Sequence, residues 1–113
     1  MKKLSKLQPS VRVSIANPES GSTSLFGPGI ADLCLGVREV GSLNASAKSM
    51  GMAYSKAWRI IKDTEEALGM QLLNRDGAHG STLTPEGNKI LDAYIALDQQ
   101  MTQNAKESFK ALI

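Results

Sequence analysis

The sequence predicts a small, mainly helical domain with short β-hairpins and one long helix at its C-terminal end. Three observations lead there. Apolar residues recur at helical spacing within 30–40, 43–50, 53–68 and 85–112. Two other stretches, 11–26 and 71–84, set short apolar arms on either side of a turn-rich centre. Glycine and proline punctuate the chain between these segments.

A length of 113 residues makes one domain, 1–113, the expectation. The apolar share is 42%, enough for a core; aromatics are only 4%, so that core must rest on Leu, Ile, Val, Met and Ala.

The elements follow in order. Val11, Val13 and Ile15 alternate with Arg12 and Ser14, which predicts a strand with one buried face. NPESGSTS (17–24) is turn chemistry, and Leu25 and Phe26 form the returning arm of an N-terminal hairpin over 11–26. Pro28 opens the first of three core helices within 28–69, at a position where its missing N–H costs nothing. Ile30, Leu33, Cys34, Val37 and Val40 share one side of that helix, and Gly41 stops it. Ser42 is the expected N-cap of a short helix that turns Leu43, Ala47 and Met50 inward and closes at Gly51.

The next helix spans 53–68. Ala57, Ile61, Thr64 and Leu68 make an inner stripe at offsets of 4, 3 and 4, widened by Ile60; Ser55, Arg59, Lys62 and Glu66 make the opposite stripe at the same offsets. Gly69 ends it. In the hairpin of 71–84, Leu72 and Leu73 face Thr82 and Leu83 across the turn DGAHG (76–80), whose Asp-Gly is a hairpin signal. Thr84, Pro85 and Glu86 then supply a cap, a first-turn proline and an acid at the positive end of a helix dipole. The helix runs over 85–112 with a stripe of Ile90, Tyr94, Leu97, Met101, Ala105 and Leu112. Its length is about 40 Å at about 1.5 Å per residue. That outreaches a domain of this size, so its far end is expected to pack on a second copy of the chain.

Two helices joined by a few residues that include glycine are the helix-turn-helix arrangement, and a hairpin after the second helix makes a winged form. In such a unit the second helix enters the major groove, N-terminal end first. The charges agree. The net charge is only +2, but Lys48, Lys56, Arg59 and Lys62 are the only charges between Val40 and Asp63. Arg59 and Lys62 suit phosphates, and Arg59 also suits a guanine edge. Tyr54, Ser55 and Lys56 occupy the leading turn, nearest the groove floor.

Taken together, GSLNASAKSMGMAYSKAW (41–58), the LG at 68–69, LLNR (72–75) and LTPEG (83–87) resemble the DNA-binding domain of the molybdate-responsive, ModE-type transcriptional regulators. That domain is itself similar to the winged helix-turn-helix of LysR-type regulators. The Tyr54–Ser55–Lys56–Ala57–Trp58 segment and the LFGPG at 25–29 lean towards the ModE type. The resemblance implies double-stranded DNA as partner, a homodimer joined through the long helices, and a role in transcription regulation. ModE-type proteins typically continue into a molybdate-binding domain, for which these 113 residues leave no room. Molybdate stays one candidate effector among unknowns.

Other readings stand beside these. Tyr54 and Ser55 either contact bases or cap the helix; Lys48 touches a phosphate or nothing. Arg75, at the wing's base, binds phosphate or pairs with an acid. His79, alone at the wing's tip, is solvent-exposed and a backbone contact at most, because one histidine without further ligands makes a poor metal site. Trp58 lies beside the inner stripe and is expected to pack on the short helix, with its indole N–H partnered. Cys34 is the only cysteine, a buried structural thiol that excludes an internal disulfide. Glu65 and Glu66 are adjacent and diverge on a helix, so they form no acid/base pair, and P-loop, GxSxG and HExxH motifs are absent. No enzyme activity, cofactor or metal is expected. The lysines at 2, 3 and 6 precede no apolar run and no segment could span a bilayer, so a cytoplasmic protein is expected. Two further function classes compete with DNA binding: a winged-helix protein-interaction module, and an oxyanion-responsive regulator that senses at the dimer interface.

Overall fold

The computed structural model describes residues 2–75 and 80–113. Among these residues, five helices and a two-stranded antiparallel hairpin appear in the order α1 (Lys2–Ser5), α2 (Pro28–Val40), α3 (Leu43–Ser49), α4 (Tyr54–Leu68), β1 (Leu73–Arg75), β2 (Ser81–Leu83) and α5 (Pro85–Leu112). This is a winged helix architecture with a long C-terminal helix. Helices α2, α3 and α4 enclose one core with Phe26, Leu72, Leu73, Leu83, Leu91 and Tyr94.

Local chemistry explains the boundaries. Helix α2 begins at Pro28 and ends where Gly41 adopts a left-handed φ of 77° and donates its N–H to the Val37 carbonyl. Ile30, Ala31, Leu33, Cys34 and Val37 are buried. Val40 departs from expectation and is 65% exposed. At about 100° per residue it lies roughly 80° around the helix from Ile30, in the last turn, where the stripe has drifted off the core. Ser42 caps α3 by accepting from the Ala45 N–H at 3.1 Å. Met50 was expected inside but is 37% exposed; it lies one residue past the end of the helix at Ser49. Where α2 and α3 cross, Ser46 Oγ donates to the Leu33 carbonyl at 2.9 Å, and a Cβ on Gly36 would lie 2.1 Å from that oxygen.

The expected hairpin over 11–26 reduces to a single antiparallel bridge, with Ile15 and Phe26 exchanging two 2.8 Å hydrogen bonds. The intervening segment turns its backbone donors to its own side chains. Glu19 N–H donates to Asn17 Oδ1, Ser22 N–H to Ser20 Oγ and Ser24 N–H to Ser22 Oγ, each at 3.1 Å. Such local bonds compete with a ladder. The bridge still carries Val13 and Ile15 onto the core and buries Phe26 completely.

In the wing, Leu73 pairs with Leu83, Asn74 with Thr82 and Arg75 with Ser81; most of its turn, 76–79, lies outside the described residues. The wing's second arm is pinned to the end of α2, where Ser81 N–H donates to the Gly41 carbonyl at 3.0 Å. Thr84 caps α5, accepting from Gly87 N–H at 2.9 Å while its hydroxyl donates to the Gln71 carbonyl.

Helix α5 has 28 residues and its buried residues are Gly87, Leu91 and Tyr94. The remainder runs beyond the core, which agrees with a radius of gyration of 16.7 Å against about 13 Å for a compact chain of this length. Tyr94 belongs to the core of its own chain. Its ring meets Phe26 edge-on at 5.5 Å and its hydroxyl donates to the Val13 carbonyl at 3.1 Å. It is therefore not free to build an intersubunit surface as expected. Of the rest of the stripe, Ile90 packs partly on the core, Met101 and Ala105 are half-buried, and Leu97 and Leu112 are exposed. The far end is not bare within one chain: Ser5, Leu7, Gln8 and Pro9 face Gln103, Lys106 and Phe109 across a cleft.

Cys34 is fully buried, and burial, reinforced by the charge of Glu65, pushes its thiol up to about 12. A maleimide should leave Cys34 unmodified in the folded protein and label it fully in denaturant; fast labelling of the folded protein would contradict this placement.

Candidate nucleic-acid interface

Four residues separate α3 from α4, and they close a tight turn. Gly51, at a left-handed φ of 67°, donates its N–H to the Lys48 carbonyl at 3.0 Å, and Met52 N–H donates to Ala47 at 2.9 Å. The turn sets the start of α4. Its inner side is seated by Ala57, Trp58, Ile61, Thr64 and Ala67, all buried. Ala67 takes a fully buried place next to Leu68, which is only partly buried. Thr64 resolves its own polarity by donating to the Ile60 carbonyl at 2.8 Å.

The outer side holds Ser55, Lys56, Arg59, Lys62 and Glu66, all exposed, and Tyr54 at 45% exposure. Lys48 is exposed in the last turn of α3. The ion pair found among the described residues lies elsewhere, between Arg38 and Asp92 at 2.8 Å, and braces α2 against α5. Lys48, Lys56, Arg59 and Lys62 thus form a cationic face with no carboxylate within salt-bridge distance among the described residues. The capping alternative for Tyr54 and Ser55 is not what is found. The N-cap is Ala53, which makes no side-chain cap, so the leading N–H groups of α4 have no capping side chain.

Of the two alternatives for Arg75, the pairing with an acid is not found among the described residues; its guanidinium carbon lies 4.0 Å from the centroid of the Trp58 ring. Trp58 is buried, but its Nε1 has no hydrogen-bond partner among the described residues, contrary to expectation. His79 lies outside the described residues. Sequence reading also missed Glu65. Its Oε2 accepts from Leu72 N–H at 2.7 Å and Leu73 N–H at 3.2 Å, tying the end of α4 to the first arm of the wing. The signal was weak, because the residues joined are seven and eight apart, across the left-handed turn at Gly69.

The arrangement presents a helix N-terminus, a hydroxyl, a tyrosine and several cations on one convex surface, with a wing strand beside it. Such a surface suits a polyanion with a groove wide enough for a helix. Among the described residues no helix is long and apolar enough to cross a membrane.

Residues 32–88 match the family of bacterial regulatory helix-turn-helix proteins, lysR family. That span starts in α2 and ends in the first turn of α5, so it includes the cationic face and the wing. Among solved structures, the DNA-binding domain of CbnR in complex with DNA is similar at a TM-score of 0.61 and 24% identity, over 74% of this chain and 94% of that one. The DNA-binding domain of BenM in complex with benA site 1 DNA is similar at a TM-score of 0.57 and 27% identity, over 73% of this chain and 91% of that one. Among curated proteins, no relative matches the sequence.

Proposed function

The chain belongs to the lysR family of bacterial regulatory helix-turn-helix proteins, and on that premise we propose that it is a sequence-specific transcriptional regulator that binds double-stranded DNA as a homodimer. The observation that carries this reading is the face of α4: Lys56, Arg59 and Lys62 exposed opposite a buried stripe, with no carboxylate within salt-bridge distance of them among the described residues. Helix α4 enters the major groove by its N-terminal end. Tyr54, Ser55 and Lys56 reach the base edges, Arg59 reads a guanine or grips a phosphate, and Lys62 and Lys48 hold the flanking backbone. Arg75 meets phosphate from the wing. The two similar structures bound to DNA support the choice of partner.

The homodimer rests on α5. Leu97, Met101, Ala105 and Leu112 continue an apolar stripe where the chain's own core has ended. Pairing two such helices would set two α4 helices about 34 Å apart, one turn of duplex, on a roughly palindromic site. The finer kinship with the molybdate-responsive type rests on residues 54–58 and on LFGPG at 25–29. It names no effector. The site of action is the cytoplasm, where bacterial DNA lies.

Selection of duplexes from a random pool, followed by affinity measurements in rising salt, tests the proposal. The expected result is an enriched, two-fold symmetric site whose affinity falls roughly 10³- to 10⁵-fold between about 50 and 200 mM salt, the response of about six to ten phosphate contacts. No enrichment, or a flat response, would contradict it.

A further inference from the structure

One residue of this surface, Trp58, has no role in the reading above. Trp58 is the only tryptophan in the chain. It is 8% exposed and its indole N–H is buried without a partner among the described residues. A phenylalanine or leucine would fill apolar space without burying an unpaired donor, so space-filling alone does not account for the indole. What tryptophan adds is the aromatic face that attracts a cation most strongly. That face is occupied: the Arg75 guanidinium carbon lies 4.0 Å from the ring centroid, and Tyr54 meets the ring edge-on at 6.3 Å and 89°.

Trp58 stands on α4, and Arg75 is the last residue of β1 before the wing's turn. The contact therefore joins the helix and the wing at the C-terminal end of β1. Glu65 joins the same two elements at the other end, through Leu72 and Leu73. Arg75 is exposed and has no ion pair among the described residues, so its N–H donors remain available while its charge rests over the ring.

We propose that Trp58 is a positioning residue that holds the Arg75 guanidinium over its ring, so that the wing and α4 present their cations to one phosphate backbone as a unit. This rests on the DNA-binding reading. Without the stack, the arginine samples many rotamers and the same contact carries a larger ordering cost.

The test uses Trp58→Phe, Arg75→Ala and the double variant, on a duplex selected by the unmodified protein. Arg75→Ala should weaken binding about tenfold and lower the salt slope by about one for each subunit. Trp58→Phe should weaken it about two- to fivefold, the scale of a cation–π contact, with the slope unchanged. The double variant should bind no more weakly than Arg75→Ala alone. Because the chain has one tryptophan, its emission reports the stack directly. Arg75→Ala should shift the emission of the free protein and remove its response to the duplex.

Independent effects of the two substitutions, or emission indifferent to Arg75→Ala, would overturn the proposal while leaving the DNA reading in place. An unmodified protein that binds no duplex would remove both. If Trp58→Phe proves unfolded by thermal melting, Arg75→Lys decides: it keeps the charge but not the planar guanidinium, so affinity should fall between the unmodified protein and Arg75→Ala. Full affinity in Arg75→Lys would overturn the stack's role.

Discussion

Replacing Arg59 and Lys62 together with alanine should lower affinity for a selected duplex about a thousandfold and leave the fold unchanged. The magnitude follows from two contacts in each subunit, four in a dimer, at about 1 kcal/mol each. About 4 kcal/mol is roughly a factor of a thousand. The unchanged fold follows from position. Both side chains are exposed, on the side of α4 opposite Ala57, Ile61 and Thr64, and neither makes an ion pair among the described residues. Surface substitutions away from such features usually alter stability by less than about 0.5 kcal/mol. Both alanines are better helix formers than most residues, which favours α4 if anything. A variant that melts normally and binds as tightly as the unmodified protein would place the DNA contact elsewhere.

Gly36→Ala should destabilise the protein, although helix propensity alone predicts the reverse. Alanine in a helix interior is favoured over glycine by about 1 kcal/mol. At this position the new methyl would lie 2.1 Å from Ser46 Oγ and 2.8 Å from Ser46 Cβ, where α3 crosses α2. Relief needs either a shift of α3 or loss of the Ser46 hydrogen bond to the Leu33 carbonyl. Ser46 is buried, so a displaced hydroxyl would be left without water as a partner. Overpacking and the disturbed bond together cost about 2–4 kcal/mol, against which the propensity gain is smaller. The net loss expected in urea unfolding is about 1–3 kcal/mol. A gain in stability would mean that α2 and α3 do not approach this closely, and the seating of α4 would need another explanation.

The four segments of helical spacing became α2 to α5, with periodicity supported by side-chain caps at the starts of α3 and α5 and by glycine stops at the ends of α2 and α4. The capping oxygens of Ser42 and Thr84 and the left-handed glycines at 41 and 69 are local devices that a sequence displays openly. The errors fell where the third dimension decides. Val40 and Met50 were placed inside by pattern, but one lies on a drifting stripe and the other beyond its helix. The N-terminal hairpin failed because its polar centre satisfies its own backbone. Tyr94 was assigned outward as part of a long stripe, yet Phe26, some seventy positions earlier, turns it into the core.

The candidate site divides in the same way. The exposed stripe of α4 was legible, since one helix face is a matter of spacing. The stack of Arg75 on Trp58 and the bonds from Glu65 to the wing were not. They join residues from two elements whose approach depends on the turn at Gly69 and on the packing beneath it, and no spacing rule reaches across such a turn.

The most direct measurement is the dependence of duplex affinity on salt, made in parallel on the unmodified protein and on the Arg59→Ala/Lys62→Ala variant. If α4 lies in the groove with these cations on phosphates, the logarithmic slope should become shallower by about two to four in the variant, according to whether each arginine sits on a phosphate or on a base. Equal slopes for the two proteins would contradict that placement.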